Sequence, residues 1–271
     1  MIWFLLFLLG IIGGTFGSLV GLGGGIIIVP TLLFLDNSFD ILNEMGPQKI
    51  VGTTILVLLT TGLSSTLSYF KQKKVDFMSG MIFFIGSGPG AYVGAVVNKH
   101  VDVSLFSLLF GVLMIIISII MTFKKSMRPI GIMNQGIPHY YIEGSGNVLI
   151  YRYSPIVAII CCFFIGMLSG LFGIGGGALM VPLMLLVFGF PVSIAVATSM
   201  FMVFLSAISG SIAHITLGNV EWFYAIALVP GAWFGGKCGA WLNNKLKTRT
   251  VMVVFRILVV VAGIRLILGS N

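Results

Sequence analysis

The stretch Gly21-Leu22-Gly23-Gly24-Gly25, with Pro30 five residues further on, interrupts an apolar run that extends from Ile2 to Leu35. The same pattern recurs as Gly173-Ile174-Gly175-Gly176-Gly177, with Pro182 five residues further on. Because each glycine costs roughly 1 kcal/mol relative to alanine inside a helix, these stretches predict two helix interruptions. Irregular backbone at membrane depth is tolerated only where protein buries it or where it lines a cavity. Two such interruptions in matching halves are a strong sequence indication of a transporter binding site.

The composition is that of an integral membrane protein. Of the 271 residues, 58% are hydrophobic and only 8% are charged, with a mean hydropathy of +1.13. A soluble domain carries about a quarter charged residues. The three cysteines (Cys161, Cys162 and Cys238) lie in apolar segments, so we expect neither a disulfide framework nor a metal site. The net charge of +8 comes mostly from cations beside apolar segments. This pattern indicates orientation in a lipid bilayer and not nucleic-acid binding.

Apolar segments of spanning length, about 20 residues, follow each glycine-bearing run in a set of three. The predicted spans are Ile50–Phe70, Phe77–Val97, Val103–Phe123, Val192–Thr216, Trp222–Leu242 and Val251–Leu268, and the glycine-bearing runs are Ile2–Leu35 and Ile156–Phe188. All are expected to be helical, because lipid offers no partners to an open sheet. The polar connection 124–153 carries the turn Glu143-Gly144-Ser145-Gly146-Asn147 between tyrosine-rich segments, which predicts a small β-hairpin.

The two halves of the chain resemble each other beyond the glycines. Gly52-Thr53-Thr54 corresponds to Ala197-Thr198-Ser199, and Val75-Asp76-Phe77 corresponds to Val220-Glu221-Trp222 at the same offset. Pro89-Gly90-Ala91-Tyr92-Val93-Gly94 corresponds to Pro230-Gly231-Ala232-Trp233-Phe234-Gly235 at a slightly shorter offset, as a difference in loop length would produce. These matches predict an internal duplication. We assign residues 1–123 to the first repeat, 124–153 to a cytoplasmic connecting loop and 154–271 to the second repeat.

The cations predict how the repeats are oriented, since loops on the cytoplasmic side are enriched in Lys and Arg. If each glycine-bearing run enters and leaves on one side, ten loop cations share a face and three occupy the other: Lys71, Lys73, Lys74, Lys124, Lys125, Arg128, Arg152, Lys245, Lys247 and Arg249 against Lys49, Lys99 and Arg265. If each run crosses once, the split is eight against five. The hairpin arrangement is therefore favoured, with both termini outside. An odd number of crossings per repeat predicts inverted repeats. Whether residues 2–20 cross fully or form one arm of a hairpin stays open.

With these residues described, the chain resembles the TauE/SafE family of sulfite-exporter-like bacterial membrane proteins. The likeness is carried by the doubled Gly-x-Gly-Gly-Gly-x4-Pro pattern, by the Thr/Ser pairs after it and by His214-Ile215-Thr216-Leu217-Gly218-Asn219-Val220. It covers nearly the whole chain apart from residues 124–153. The resemblance implies movement of small sulfur-containing anions, such as sulfite, sulfoacetate or related organosulfonates, across the bacterial plasma membrane. One departure is that Tyr69 and Lys73 stand in the first half where His214 and Gly218 stand in the second.

The predicted binding site combines the glycine turns with nearby hydroxyls. Backbone N–H groups freed at a helix break form a concave nest for an oxyanion, and the following half-helix presents its positive end. Hydroxyl groups near the starts of two spans add further donors. The alternatives are that the glycines allow close helix packing and that the hydroxyls bond to their own helices. The candidate substrate-binding residues are Gly21, Gly23, Gly24, Gly25, Thr53, Thr54, Gly173, Gly175, Gly176, Gly177, Thr198 and Ser199.

Few ionisable groups fall inside the predicted spans. His214 is a candidate for proton coupling, with a hydrogen-bonded structural role as its alternative. Arg256 and Lys237 are candidates for a charge role, although both lie close enough to span ends to reach the interface. Asp76 and Glu221 open equivalent spans, where helix capping explains them. All seven acidic residues are assigned to loops or span edges, which favours an anion over a cation as substrate.

Taken together, the sequence predicts an all-α polytopic membrane protein of two inverted repeats, each a glycine-broken helical hairpin plus three transmembrane helices. We expect it to move a small anion by alternating access, without a cofactor or metal. An anion channel is the first alternative, because the same glycine turns suit a pore lining. A membrane-embedded enzyme is the second, but the scattered histidines offer no ligand spacing. The substrate, the direction of transport, the coupling ion and the oligomeric state, including a possible homodimer, are left open.

Overall fold

The computed structural model describes residues 2–39, 45–123, 137–142, 148–245 and 260, and these are almost entirely helical. The elements are α1 (Ile2–Val20), α2 (Gly25–Phe39), α3 (Pro47–Lys71), α4 (Phe77–Asn98), α5 (Val103–Phe123), β1 (Ile137–Ile142), β2 (Val148–Tyr153), α6 (Pro155–Phe172), α7 (Gly177–Leu186), α8 (Val192–Thr216) and α9 (Trp222–Lys245). Both predicted helix interruptions are present, at residues 21–24 and 173–176. The predicted helices at 50–70, 77–97, 103–123, 192–216 and 222–242 are confirmed to within a few residues.

Five helices are long and apolar enough to cross a membrane: α1, α3, α4, α6 and α8, with mean hydropathies between 1.5 and 2.4. The described residues are thus nearly all helical, which is consistent with a multi-pass, all-α membrane protein. Helices α5 and α9 are not among the five, so their crossing of the bilayer stays a prediction. The predicted span Val251–Leu268, and Arg256 within it, fall outside the residues for which the structure provides a description.

Side-chain contacts define two ends of the helix bundle. At the first, which we call the α1 end, helices α1, α3 and α9 begin and α4 and α8 finish. There the Trp3 and Phe223 ring centroids lie 4.4 Å apart, and Gln48 Nε2 donates to Val101 O at 2.8 Å. At the other, the hairpin end, α4, α6 and α8 begin and α3 and α9 finish. Lys74 Nζ there donates to Asn244 Oδ1.

Each glycine-broken pair of helices enters and leaves the bundle at one end. Helix α2 runs back along α1, so that a Cβ added at Gly13 would lie 2.6 Å from Ile28 Cγ1. The chain then returns to the start of α3 at the α1 end. Helices α6 and α7 do the same at the hairpin end. Helix α1 is therefore one arm of a hairpin, which answers a question that the sequence left open.

Glycine stripes allow α4 to pack along α6, and α9 along α1, at backbone distance. A Cβ on any glycine of either stripe would overlap a carbonyl oxygen of the facing helix. The glycines are Gly86, Gly90 and Gly94 facing Ile159, Phe163 and Met167, and Gly231, Gly235 and Gly239 facing Phe7, Ile11 and Thr15. These contacts make Gly90 equivalent to Gly235, at the same offset that relates Thr53 to Thr198. The sequence match of Gly90 with Gly231 is therefore wrong by one helical turn, because regularly repeated glycines let two helices align in more than one register.

Equivalent residues of the two halves make equivalent hydrogen bonds. Asn98 Nδ2 donates to Leu171 O and Asn243 Nδ2 donates to Leu19 O, both at 2.7 Å. Ser64 Oγ donates to Trp233 O and Ser209 Oγ donates to Gly88 O, also both at 2.7 Å. Each bond joins one half of the chain to the other.

The polar connection contains the predicted β-hairpin. Strands β1 and β2 pair antiparallel, with Ile142 opposite Val148 at the turn and Ile137 opposite Tyr153 at the open end. The chain passes directly from β2 into α6, and the Tyr151 and Tyr153 side chains are buried against the bundle. The β-hairpin therefore packs against the helices at the end of the bundle that carries its name.

Candidate functional site

The two glycine turns adopt backbone conformations that favour glycine. Gly21 and Gly173, which occupy equivalent positions, have φ angles of +83° and +66°, and Gly23 and Gly175 have φ angles of +88° and +76°. Other residues rarely adopt this left-handed region, so the glycines stop α1 and α6 at the predicted places. Helices α2 and α7 then start at the last glycine of each motif.

The two breaks meet each other. A Cβ added at Gly25 would overlap the carbonyl oxygen of Gly173 and lie 2.9 Å from its carbonyl carbon. A Cβ added at Gly177 would overlap the carbonyl oxygen of Gly21 and lie 3.1 Å from its carbonyl carbon. Because Gly25 and Gly177 are equivalent, as are Gly21 and Gly173, these contacts are reciprocal. The sequence predicted the turns, and the tertiary structure places them back to back.

The meeting point lies near the middle of the bundle. A Cβ added at Gly23 would lie 2.8 Å from Leu58 Cδ2 of α3, 3.2 Å from Val203 Cγ1 of α8 and 3.7 Å from Gly175 Cα. Leu58 and Val203 are each close to the centre of a 25-residue helix. The breaks therefore sit at about half the depth of the longest helices, where a transporter of this architecture binds its substrate.

The glycines at the fourth position of the two motifs differ in conformation, although the sequence predicts the same role for both. Gly24 has a φ of +100°, and a Cβ there would lie 2.5 Å from Gly13 O. Gly176 has an ordinary φ of −50°, and its nearest neighbours are the flexible ends of Met202 and Ile165 at 3.0 and 3.1 Å. Substituting Gly24 therefore distorts the backbone, whereas a Cβ at Gly176 requires only a small shift of neighbouring side chains.

Two of the predicted substrate hydroxyls accept hydrogen bonds from backbone. The N–H of Asp76 donates to Thr198 Oγ1 at 3.0 Å, and the N–H of Glu221 donates to Thr53 Oγ1 at 3.0 Å. Both threonine side chains are fully buried. Each threonine therefore accepts a hydrogen bond from the backbone N–H directly before a helix of the opposite half. The sequence did not predict this packing role.

The remaining predicted hydroxyls, Ser199 and its equivalent Thr54, make different contacts in the two halves. Ser199 Oγ lies 2.8 Å from Gly21 O and 2.9 Å from Val196 O, so it is bound at the first glycine turn. The equivalent Thr54 Oγ1 is buried and has no hydrogen-bond partner among the residues that the structure describes. A buried hydroxyl without a partner is costly, so it calls for an explanation such as water or a ligand.

His214 makes the same contact as its counterpart Tyr69. Its Nε2 lies 3.0 Å from Gly170 O, while Tyr69 Oη donates to the equivalent carbonyl of Ser18 at 2.8 Å. His214 is fully buried, and its Nδ1 lies 3.3 Å from Asn219 Nδ2. Both residues thus tie α3 or α8 to the last turn before a glycine break, and this favours a structural role for His214.

The predicted charge residues do not reach the breaks within the described part of the chain. Lys237 is exposed on α9, with its Nζ 4.9 Å from the Trp233 ring centroid. Lys49 pairs with Glu221 at 3.0 Å near the surface of the α1 end. The centre of the bundle is instead lined by backbone and uncharged side chains.

Beside the breaks lies a small cavity on the α1 side of the meeting point. It is lined by side chains of α3, α4, α6 and α8 together with Gly175, and its internal space is about that of one water molecule. The lining residues are Ile55, Leu58, Ala91, Ser169, Gly170, Gly175, Val203, Ser206, Ala207 and Gly210. This space by itself is too small to admit an oxyanion.

Sequence analysis missed several residues that bind the halves together. Asn98 corresponds to Asn243, and Ser64 to Ser209, and each pair makes equivalent bonds. A comparison of the halves at the constant offset that relates Thr53 to Thr198 finds all four. The contact of Tyr151 with Asp76 has no such signal, because the hairpin occurs once in the described chain.

Comparisons with known proteins agree on one group of membrane proteins. A family model described as Sulfite exporter TauE/SafE matches residues 6–266. The probable membrane transporter protein YunE of Bacillus subtilis is 50% identical over 98% of each chain. A probable membrane transporter protein of Methanocaldococcus jannaschii is 27% identical over 97% of this chain and 95% of its own. A further relative with that description, from Xylella fastidiosa, is 26% identical over 96% and 93%. No solved structure shows a significant match.

Proposed function

This chain belongs to the sulfite exporter TauE/SafE family, and we propose that it carries a small anion, sulfite or an organosulfonate, across the bacterial plasma membrane by alternating access. The family and the relatives' descriptions indicate a membrane transporter and not an enzyme. The observation on which the proposal depends is the reciprocal contact between the two glycine breaks at the middle of the bundle.

The proposed mechanism uses two inverted repeats, residues 1–123 and 154–271, joined by the loop 124–153. Support comes from α3 and α8, which are equivalent in sequence but run in opposite directions. Thr53, near the start of α3, contacts the start of α9 just after α8 has finished. Thr198, near the start of α8, contacts the start of α4 just after α3 has finished. Equivalent helices of opposite direction are what a twofold axis in the membrane plane produces.

Inversion makes alternating access possible without moving the site. If a twofold axis passes between the breaks, exchanging the conformations of the two repeats turns an opening at one end into an opening at the other. An anion channel built on the same glycine turns is the alternative to this carrier mechanism. Saturable counterflow in vesicles distinguishes the two, because a channel shows none.

The proposed substrate site consists of the breaks and the neighbouring hydroxyls. Two half-helices begin at Gly25 and Gly177, and the positive ends of half-helices favour an anion. The described acidic residues lie near helix ends or in connections and not at the breaks: Asp36, Asp76, Asp102 and Glu221. A site of N–H and O–H donors suits the oxygens of sulfite and sulfonates.

Among the predicted substrate hydroxyls, Thr54 is the most directly available, because it is buried and has no hydrogen-bond partner among the described residues. Ser199 is already bound at the first turn and needs to leave Gly21 O before it can donate to an anion. We therefore propose that Thr54 binds the substrate first and that Ser199 joins it once the exchange of the two repeats has released it from Gly21 O.

The proposed orientation places the hairpin end in the cytoplasm and both chain termini outside. Connections at the hairpin end carry Lys71, Lys73, Lys74, Arg152 and Lys245, and cytoplasmic loops are enriched in such cations. Labelling of a cysteine at position 73 by an impermeant reagent added outside intact cells contradicts this orientation.

The experiment is uptake into liposomes that contain the purified protein. Labelled sulfite, sulfoacetate, phosphate and a divalent metal ion are offered in parallel, and saturable movement of sulfite or sulfoacetate is expected. Movement of the metal alone refutes the proposed substrate class. Thr54→Val is expected to reduce anion uptake at least tenfold, since it removes one donor at the site.

The matched control for this variant is Thr66→Val. Thr66 lies on the same helix, and its hydroxyl is also buried without a protein partner, but it lies three turns nearer the hairpin end. Equal loss of uptake in both variants indicates a general effect of the substitution on α3 and removes Thr54 from the site.

A further inference from the structure

The two ends of the bundle are closed in different ways, although most contacts between the halves correspond. At the α1 end, Glu221 begins α9 and pairs at 3.0 Å with Lys49, with the two side chains 32% and 51% exposed. Ion pairs this exposed contribute little, because water screens them. At the hairpin end, the equivalent residue Asp76 is 9% exposed and is covered by the β-hairpin.

Asp76 is the centre of a hydrogen-bonded cluster. Its carboxylate accepts from the backbone N–H of Ser79 at 3.1 Å and from Ser79 Oγ at 2.5 Å, which caps the start of α4. Tyr151 Oη of the hairpin also donates to the carboxylate, and Tyr153 Oη donates to Ser79 Oγ at 2.7 Å. Hydrogen bonds to an ionised acceptor are about twice as strong as neutral ones.

The aromatic rings of the same two tyrosines contact the other half of the chain. The centroid of Tyr151 lies 3.9 Å from that of Phe190, and the centroid of Tyr153 lies 5.3 Å from that of Phe188. Both phenylalanines belong to the connection between α7 and α8 and are at most 3% exposed. The hairpin therefore bridges the start of α4 in one half and the α7–α8 connection in the other.

We propose that the β-hairpin is a latch that holds the hairpin end closed and makes the two access states unequal in population. Opening that end requires α4 to separate from the α7–α8 connection, and this breaks the bond of Tyr151 to Asp76 or the ring contact with Phe190. The described part of the α1 end contains no counterpart of the hairpin, so opening there breaks no contact that corresponds to the bond of Tyr151 to Asp76. This latch rests on the alternating access proposed above.

The hydroxyl groups of Tyr151 and Tyr153 stay protonated and can therefore donate the hydrogen bonds of the latch. Burial raises the pKa of Tyr153 to about 12. Burial and, after it, the neighbouring Asp76 carboxylate raise the pKa of Tyr151 well above its usual value. The two phenols therefore remain hydroxyl donors at physiological pH.

Two matched reporter cysteines measure which end opens. Ile50 and Ala195 are equivalent, fully buried and three residues ahead of Thr53 and Thr198 respectively. Each is replaced singly by cysteine in a Cys161→Ala, Cys162→Ala, Cys238→Ala background of the full chain in nanodiscs, where both ends are accessible. The rate of modification by a hydrophilic maleimide is then measured at each position.

In the parent protein, position 50 is expected to react faster than position 195. Tyr151→Phe keeps the ring but removes the hydroxyl. It is expected to raise the ratio of the rate at 195 to the rate at 50 by about tenfold or more, from the loss of one hydrogen bond to a carboxylate. Asp76→Asn is expected to act in the same direction, and the double variant to exceed either single variant by little. Tyr92→Phe, at a tyrosine 48% exposed on α4, is the control and is expected to leave the ratio unchanged.

An unchanged ratio in both Tyr151→Phe and Asp76→Asn overturns the latch. An equal increase at both positions also overturns it, because general loosening of the bundle exposes both ends alike. The measurement does not depend on the substrate. A shifted ratio in a protein that moves no sulfur anion therefore supports the latch and refutes the substrate class. Normal sulfite uptake with an unchanged ratio supports the substrate class and refutes the latch.

Discussion

Replacing Gly25 by alanine tests directly whether the two breaks touch. The added Cβ would overlap the carbonyl oxygen of Gly173 and lie 2.9 Å from the carbonyl carbon, so the breaks must separate by roughly 1 Å or more to restore ordinary contact. Overpacking of this kind costs about 1–3 kcal/mol, and more where the obstacle is backbone. Gly25 has no positive φ, so the expected loss of stability comes from the contact and not from backbone strain.

The expected result is a fall in the thermal unfolding midpoint of the detergent-solubilised protein by about 5 °C or more, since 1 kcal/mol corresponds to roughly 2–4 °C for a chain approaching this size. Gly177→Ala makes the reciprocal contact with Gly21 and is expected to have an equal effect. The double variant is expected to lose less than the sum, because the first substitution has already separated the breaks. Both single variants are expected to lose anion uptake.

The control is Gly46→Ala, where the Cβ would meet only Gln48 Oε1 at 3.4 Å. This variant is expected to unfold and transport like the parent protein. Gly25→Ala and Gly177→Ala with parental midpoints and uptake refute the back-to-back arrangement. A large effect at one position alone contradicts the reciprocity between the halves.

The buried hydrogen bonds lead to two further predictions. Thr198→Val leaves the buried N–H of Asp76 without an acceptor and is expected to lower the free energy of unfolding in denaturant by about 1–3 kcal/mol. Thr53→Val is expected to lower it less, because water can replace the Thr53 hydroxyl at the more exposed Glu221. Equal losses in the two variants contradict this difference in burial. His214→Gln keeps an N–H donor for Gly170 O and is expected to retain uptake with an unaltered pH profile, so a lost pH dependence identifies His214 as a proton-coupling residue instead.

Much of the candidate site followed from local properties of the chain. Gly21 and Gly173 stop their helices because both need a positive φ, and the clustered glycines indicated this without any knowledge of the neighbours. Asp76 caps α4 through the N–H of Ser79, as its place at the start of a span predicted. Lys73 and Gly218 occupy equivalent positions in the repeat, and both are left-handed, with φ angles of +52° and +71°.

Other features depended on contacts that no local pattern encodes. Thr53 and Thr198 are candidate substrate donors because they occupy equivalent positions near the starts of long spans, yet each also meets an amide far away in the sequence. The register of α4 and α9 was wrong by one turn because their glycines repeat once per helical turn. Only the facing carbonyls of Phe163 and Ile11 identify which glycine is equivalent to which.

The sequence by itself determined the class of protein, the helices and the two turns, because hydropathy, length and glycine content act within single segments. Tertiary structure alone decided that Gly25 meets Gly173, that Thr54 has no protein partner and that Tyr151 reaches Asp76. Those outcomes depend on how closely backbones approach across the bundle. That approach is a property of pairs of helices, and a segment read alone contains no information about its partner.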